Sequence, residues 1–263
     1  MIKIQTLDLI ENKEHIVKST IFPDGTSQVW KLPEEIINSL NLKITWNFEA
    51  ERELIDLRSL RALTLKNSHV HCHIPYLPYA RQDKNVTNNT SFNLDIFAEI
   101  LNLCQFNLIT AVDVHNKEQT YKLIKNFQNI PVTEQINKLA DEYDVVLFPD
   151  KGATERYNAK ITNSKQFTCV KERDQTTGQI LNHKCPELAY PMVNSVLIVD
   201  DICDGGATFI SVAKMLKAQK DFKIGLFVTH GIFSKGKQVL LDAGIQNIYC
   251  TNSLLKNEDG FKV

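Results

Sequence analysis

Ser195-Val196-Leu197-Ile198-Val199-Asp200-Asp201-Ile202-Cys203-Asp204-Gly205-Gly206-Ala207-Thr208-Phe209 reads as a buried strand that runs into two carboxylates, turns on a glycine pair and opens a helix. Consecutive apolar, mostly β-branched residues suit a strand covered on both faces, as in a parallel sheet. Glycines at 205 and 206 let backbone N–H groups approach an anion without a Cβ in the way. The helix N-terminus behind them adds unsatisfied donors and the positive end of a dipole. Thr208 can donate its hydroxyl, and Asp200 and Asp201 can accept from sugar hydroxyls or hold a magnesium-bound water. The string therefore suits a sugar phosphate. The plainer alternative is an Asp204 N-cap on a tight turn beside two solvated acids. No G-x-x-x-x-G-K-[ST] and no G-x-G-x-x-G occurs, so neither a Walker loop nor a dinucleotide fingerprint has support.

Outward from this string the same grammar repeats. Strand-like runs lie at 26–30, 69–74, 108–112, 145–148, 196–199 and 224–228, and helical stretches at 51–65, 93–103, 134–143, 208–217 and 235–243. Strands that alternate with helices imply an α/β fold with parallel sheets and right-handed crossovers. Asn129-Ile130-Pro131-Val132 is an extended, proline-bearing joint between two such sets, giving expected domains 1–131 and 132–263. Glu172 to Cys185 is polar, contains Gly178, and reads as a long mobile loop of functional or merely solvated character.

Composition sets the outer bounds. The 263 residues are 43% hydrophobic and 23% charged, with 30 basic against 31 acidic side chains, so no charge bias favours nucleic acid or anionic membrane. No apolar run is long enough for a transmembrane helix, and polar residues break the opening segment too early for a signal peptide. Six cysteines without a C-x-x-C pair read as reduced thiols in a cytoplasmic protein. His69, His71 and His73 alternate along a strand, so they share a face.

Further segments carry chemistry. Ile74-Pro75-Tyr76-Leu77-Pro78-Tyr79-Ala80-Arg81-Gln82-Asp83-Lys84 offers Arg81 to a phosphate and Gln82 as a hydrogen-bonding amide. Phe22-Pro23-Asp24-Gly25 is a turn that can stack Phe22 on a base while Asp24 accepts from an amino group. In Val112-Asp113-Val114-His115 the acid and the imidazole are two apart at a strand end and are expected to point the same way. Val145 to Gly152 ends a strand in Pro149-Asp150, and Val170-Lys171-Glu172-Arg173 places two cations at the start of the polar loop.

The 195–209 string resembles the phosphoribosyl pyrophosphate (PRPP) motif shared by type I phosphoribosyltransferases and PRPP synthetases, the ribose-phosphate pyrophosphokinases. Segment 74–84 resembles the I-P-Y-x-x-Y-A-R-Q-D of the synthetases, which the transferases lack. Phe22 to Gly25 resembles their F-x-D-G-E loop, with Thr26 in place of Glu. Val112 to His115 resembles their D-L-H, and 145–152 their S-P-D-x-G-G, with Phe148 and Ala153 as departures. Val170 to Arg173 resembles the K-x-R of their flexible loop, and Thr229-His230-Gly231-Ile232-Phe233-Ser234 their T-H-G-x-F-S.

The resemblance implies two tandem type I phosphoribosyltransferase-like domains, parallel sheets flanked by helices. It implies ATP and ribose 5-phosphate as substrates and PRPP and AMP as products. ATP would meet Phe22, Asp24, Arg81 and Gln82, and Mg2+ would meet His115 and Asp150. Asp200, Asp201, Asp204, Gly205, Gly206, Ala207 and Thr208 would hold ribose 5-phosphate, and Lys171 and Arg173 would be catalytic. In the family the Phe22-type loop comes from a neighbouring subunit, so a homo-oligomer is expected. Two other readings stay open: a non-catalytic, synthetase-like regulatory subunit, and a PRPP-consuming phosphoribosyltransferase.

Overall fold

The computed structural model describes residues 1–8, 14–162, 165–173 and 180–254. The chain divides into two compact units, Met1–Ile130 and Pro131–Val263.

The first unit runs β1 (Ile2–Thr6), β2 (Glu14–Ile16), β3 (Ser19–Ile21), β4 (Ser27–Val29), α1 (Glu34–Ile37), β5 (Asn41–Trp46), α2 (Glu53–Leu63), β6 (His69–Ile74), α3 (Asn93–Asn102), β7 (Leu108–Val112), α4 (Lys117–Leu123) and β8 (Phe127–Ile130). Its sheet has six strands in the order β2-β1-β5-β6-β7-β8. β5 to β8 are parallel, and β1 joins β2 and β5 antiparallel. Along β5 and β6 one face is fully buried, with Leu42, Ile44, Trp46, Val70, Cys72 and Ile74 pointing inward. Helix α3 presents Leu94, Phe97, Ala98 and Leu101 to the same cluster, an i, i+3, i+4, i+7 stripe. Each Leu, Ile, Val or Phe among these contributes about 1.5–3 kcal/mol by leaving water. β3 and β4 form a separate antiparallel hairpin, Ser19 opposite Val29 and Ile21 opposite Ser27.

The second unit runs α5 (Thr133–Ala140), β9 (Val145–Phe148), α6 (Lys151–Tyr157), β10 (Lys165–Thr168), β11 (Val170–Arg173), β12 (Ile180–Lys184), β13 (Ser195–Cys203), α7 (Ala207–Gln219), β14 (Lys223–Gly231), α8 (Gln238–Asp242) and β15 (Asn247–Cys250). Its sheet is wholly parallel, β10-β9-β13-β14-β15. Both faces are covered: α7 packs Phe209, Val212, Ala213 and Leu216 into the cluster of Val196 and Ile198, while Leu197 and Val199 on the other face are equally buried. This is the pattern that a continuous apolar run requires.

Two local expectations change. The stretch after Glu172 was expected as irregular loop. Instead β11 and β12 pair as an antiparallel ribbon, Val170 opposite Lys184 and Lys171 opposite His183. The strand expected at 196–199 continues through Asp200 and Asp201 to Cys203, paired with β14 as far as Gly231. No helix among the described residues is long and apolar enough to cross a membrane.

Candidate functional site

In the first unit the segment with Arg81 and Gln82 and the one with His115 follow the carboxyl ends of the neighbouring parallel strands β6 and β7, the usual place for a ligand in an open α/β sheet. The Pro75 carbonyl after β6 accepts from the Val112 N–H at the end of β7 at 3.3 Å. Gln82 is tied to the start of α3: its Oε1 accepts from Asn93 Nδ2 at 2.6 Å and its carbonyl from the Leu94 N–H at 3.2 Å. Arg81 beside it is exposed. Asp83 Oδ2 accepts from Asn116 Nδ2 at 2.6 Å, and Asn116 caps α4 by accepting from the Gln119 N–H at 3.1 Å. The Arg81-Gln82-Asp83 turn is thereby joined to the residue that follows His115.

The strand alternation on which the shared direction of Asp113 and His115 was expected ends before them. β7 ends at Val112, Asp113 takes a left-handed backbone (φ 40), and strand alternation stops there. Asp113 is buried, its N–H bound to the Ile130 carbonyl at 2.9 Å, whereas His115 is half-buried.

Phe22 and Asp24 occupy the tip of the β3–β4 hairpin. The Gly25 N–H closes a turn on the Phe22 carbonyl at 2.9 Å, with Gly25 at φ 86. Thr26, which replaces the family's Glu, donates from both hydroxyl and N–H to Asp24 Oδ1 at 2.7 and 3.0 Å. These bonds, the hydroxyl's first, hold the Asp24 carboxyl below its usual range. The Phe22 ring is 40% exposed.

In the second unit the acids converge. Asp150 follows β9 and caps α6, its Oδ1 accepting from the Ala153 N–H at 3.1 Å. Phe148 before it is fully buried, so this departure from the family pattern fills core. From the same helix Arg156 reaches Asp201 Oδ1 at 2.6 Å and Asp200 Oδ1 at 3.6 Å. The two acids are therefore not solvated: their side chains are 15% and 5% exposed. Burial, then the Asp201 and Asp150 charges, push the Asp200 carboxyl far above the ordinary value, while Arg156 pulls the other way.

The loop after β13 also departs from the plain capping alternative. Gly206, not Asp204, is the N-cap of α7; it sits at φ 77 and has no side chain to cap with. Asp204 instead accepts from Ser234 Oγ at 2.6 Å. The first turn of a 13-residue helix thus presents backbone N–H groups beside Gly205, Ala207 and Thr208, an arrangement suited to a phosphate. The aliphatic stem of exposed Lys235 lies 3.5 Å from where a Cβ on Gly205 would stand, so a cation borders the loop. Cys203 is buried, and burial raises its thiol to about 12, which removes it as a reactive group.

Lys171 and Arg173 lie on β11, opposite His183 and Ile180 of β12; their side chains are outside the described part of the structure. His183 anchors this ribbon, its Nε2 3.1 Å from the Pro149 carbonyl and its Nδ1 3.1 Å from Ser211 Oγ on α7. Sequence reasoning missed Arg156, His183 and Lys235. Ser234 was noted only as part of a family stretch. The three alternating histidines do not form a metal centre. His71 Nε2 and His73 Nδ1 both bond the Thr110 hydroxyl, at 2.8 and 2.9 Å. Burial, then the Lys43 charge, lowers both, His73 to about 4. Among the described residues no group of three or more His, Cys, Asp or Glu side chains could hold a metal ion.

Parallel sheets, acids at strand ends and a glycine-opened helix place the chain among α/β proteins that bind ligands at the carboxyl ends of parallel strands. Comparison with known proteins narrows this. Residues 163–262 match the family model described as phosphoribosyl synthetase-associated domain. The chain is 29% identical over 265 residues to a ribose-phosphate pyrophosphokinase of Mycoplasmopsis pulmonis, covering 94% of this chain and 79% of that one. It is 26% identical over 250 residues to one of Sulfurisphaera tokodaii, covering 90% and 84%. The crystal structure of phosphoribosylpyrophosphate synthetase from Mycobacterium smegmatis has the same fold, with a TM-score of 0.73 at 20% identity over 94% of this chain and 84% of that chain. Over most of its length the chain is thus similar to ribose-phosphate pyrophosphokinases, and it shares the fold of a phosphoribosylpyrophosphate synthetase.

Proposed function

We propose that the protein is a ribose-phosphate diphosphokinase that makes PRPP and AMP from ribose 5-phosphate and ATP. The observation that carries this reading is the β13–α7 loop. It joins two arginine-held carboxylates, suited to sugar hydroxyls, to a glycine-opened helix N-terminus, suited to a phosphate. Backbone N–H groups from Gly205 to Thr208 would take the 5-phosphate, with Asp204 steadied by Ser234. Asp200 and Asp201 would accept from the ribose hydroxyls. Arg156 pairs with Asp201 at 2.6 Å and orients it. The 1-hydroxyl oxygen attacks the β-phosphorus of ATP, the bond from that phosphorus to the α,β-bridging oxygen breaks, AMP departs, and the hydroxyl proton is released. Catalysis is then mainly positioning and charge stabilisation.

ATP would be held by Phe22, Asp24, Arg81 and Gln82. The donor chemistry fits Mg2+: a carboxylate at the end of β9 and an imidazole after β7, too few for a protein-only cage, as is usual for an ion that completes its shell with water and substrate phosphates. His115 in the first unit and Asp150 in the second would each hold it in that way. When bound it offsets polyphosphate charge. Lys171 and Arg173 are assigned to the charge that builds on the transferring group. Lys171→Ala should lower kcat at least about 100-fold with a much smaller change in KM, the signature of an interaction made in the transition state. Near-normal turnover in single-turnover kinetics would remove that role.

The deciding assay supplies ATP, ribose 5-phosphate and Mg2+ and follows AMP and PRPP together. Equimolar products abolished by EDTA are expected. No product over a range of phosphate and magnesium concentrations would move the reading to a non-catalytic regulatory relative. Pyrophosphate release that requires a nucleobase and PRPP would move it to a transferase.

A further inference from the structure

The β11–β12 ribbon is rooted on two cysteines. Val170 pairs with Lys184, so the next cross-strand position outward holds Cys169 and Cys185. Their Sγ atoms are 2.9 Å apart, in direct contact though not at the covalent S–S length of about 2.0 Å. Both are thiols. Each root is fixed to the scaffold: the Cys169 N–H donates to the Phe148 carbonyl at 2.8 Å, and His183, two residues before Cys185, bonds Pro149 and Ser211. The sulfurs are therefore brought together by the fold on both sides.

Exposure separates this pair from the other thiols. Cys72, Cys104, Cys169, Cys203 and Cys250 are buried; Cys185 alone is half-exposed. Burial raises the Cys72, Cys104 and Cys203 thiols above their ordinary value, which keeps them protonated and slow to oxidise. A solvent-reachable thiol beside a buried one is the arrangement of an attacking and a resolving cysteine.

We propose that Cys169 and Cys185 are a reversible modification site: a hydroperoxide oxidises them to an intrachain disulfide that cross-links the two roots of the ribbon. The Cys185 thiolate attacks the terminal OH oxygen of the peroxide, the O–O bond breaks, and alkoxide (hydroxide where the oxidant is hydrogen peroxide) leaves, giving a sulfenic acid. The Cys169 sulfur then attacks the Cys185 sulfur and the S–O bond breaks. The departing oxygen takes up the thiol proton and leaves as water. Two electrons pass from the thiols to the peroxide, and a dithiol reductant restores them. The disulfide stands on geometry alone. That it would change turnover rests on the proposed function, through Lys171 and Arg173 on β11.

The test treats the purified full chain with hydrogen peroxide at near-stoichiometric amount and reads intact mass and non-reducing peptide maps. The expected result is a loss of about 2 Da, one linked peptide pair joining Cys169 to Cys185, and full reversal by dithiothreitol. Alkylation after unfolding should then label only Cys72, Cys104, Cys203 and Cys250. Cys185→Ser should show no mass loss. Cys169→Ser should stop at a Cys185 sulfenic acid, trapped by a 1,3-dione probe. Should either variant fail to fold, the wild-type peptide map still decides. Six alkylatable thiols after peroxide, over-oxidation of Cys185 without the linked pair, or a disulfide between chains would each overturn the proposal. Because these readouts are chemical, failure of the synthetase reading would leave them unaffected.

Discussion

Asp200 is largely buried beside two other acids, and its response to pH is a residue-scale prediction. Folding raises its carboxyl pKa through burial and the neighbouring Asp201 and Asp150. The native chain therefore keeps a proton that the unfolded chain gives up near about 3.9. Stability from this group is fully present below that value and is lost as pH rises through the folded value. Asp200→Asn is neutral throughout and keeps an oxygen to accept from the Asp201 N–H, now 2.8 Å from Asp200 Oδ1. The variant should match the native chain at pH 3.5 and exceed it at pH 7 by on the order of 1 kcal/mol, while losing activity, the usual exchange at a strained site. Chemical denaturation at both pH values checks this; a variant less stable at pH 7 would contradict it. The acids of the 195–209 run were legible because strand, carboxylates and glycines are contiguous. Arg156 was not: its partnership with Asp201 joins residues far apart in sequence, and a helical arginine carries no mark of which strand end it faces. Thr26 shows the converse. Its departure from the family pattern was plain, but its bonds to Asp24 needed the hairpin's geometry.

At the scale of elements, the β13–α7 junction separates two adjacent glycines by physics. Gly206 lies at φ 77, where an added Cβ would also meet Leu240 Cδ2 at 2.9 Å. Gly205 has no such backbone demand, and its Cβ would meet the Lys235 stem at an ordinary 3.5 Å. Gly206→Ala should cost about 1–2 kcal/mol, the penalty of a left-handed non-glycine residue, and raise KM for ribose 5-phosphate. Gly205→Ala should cost under about 0.5 kcal/mol, as ordinary surface changes do. Thermal denaturation of both variants compares them directly; equal losses would mean the junction is not held as described. Elements with strong one-track patterns were readable from sequence: β6, β7 and β9 lie at the expected residues, and α3 and α7 shift by one or two at their ends. β5 was not read, although Leu42, Ile44 and Trp46 alternate with Lys43 and Thr45 in the pattern of a half-buried strand. The β11–β12 ribbon was read as loop because its residues are polar; a two-stranded ribbon has no core face to announce it.

At the scale of the whole molecule, the hairpin that carries Phe22 and Asp24 leaves several large apolar side chains exposed in one copy. Ile21 is 55% exposed, Trp30 50% and Phe22 40%, on or beside two three-residue strands that pair only with each other. A two-stranded hairpin is marginal by itself in water, and clustered exposed apolar side chains mark an association surface. We propose that a second copy of the chain covers it, in keeping with the adenine-holding loop that the family resemblance takes from a neighbour. Sedimentation at micromolar concentration should give a dimer or larger assembly. Trp30→Asp should shift it toward monomer and, because Phe22 and Asp24 ride on the same hairpin, raise KM for ATP about tenfold or more, equivalent to about 1.4 kcal/mol of lost binding. KM for ribose 5-phosphate should change far less, since the residues assigned to it sit on the β13–α7 loop. A native chain that sediments as a monomer while fully active would exclude the shared site. A Trp30→Asp variant that dissociates with both KM values unchanged would keep the assembly and detach it from ATP binding.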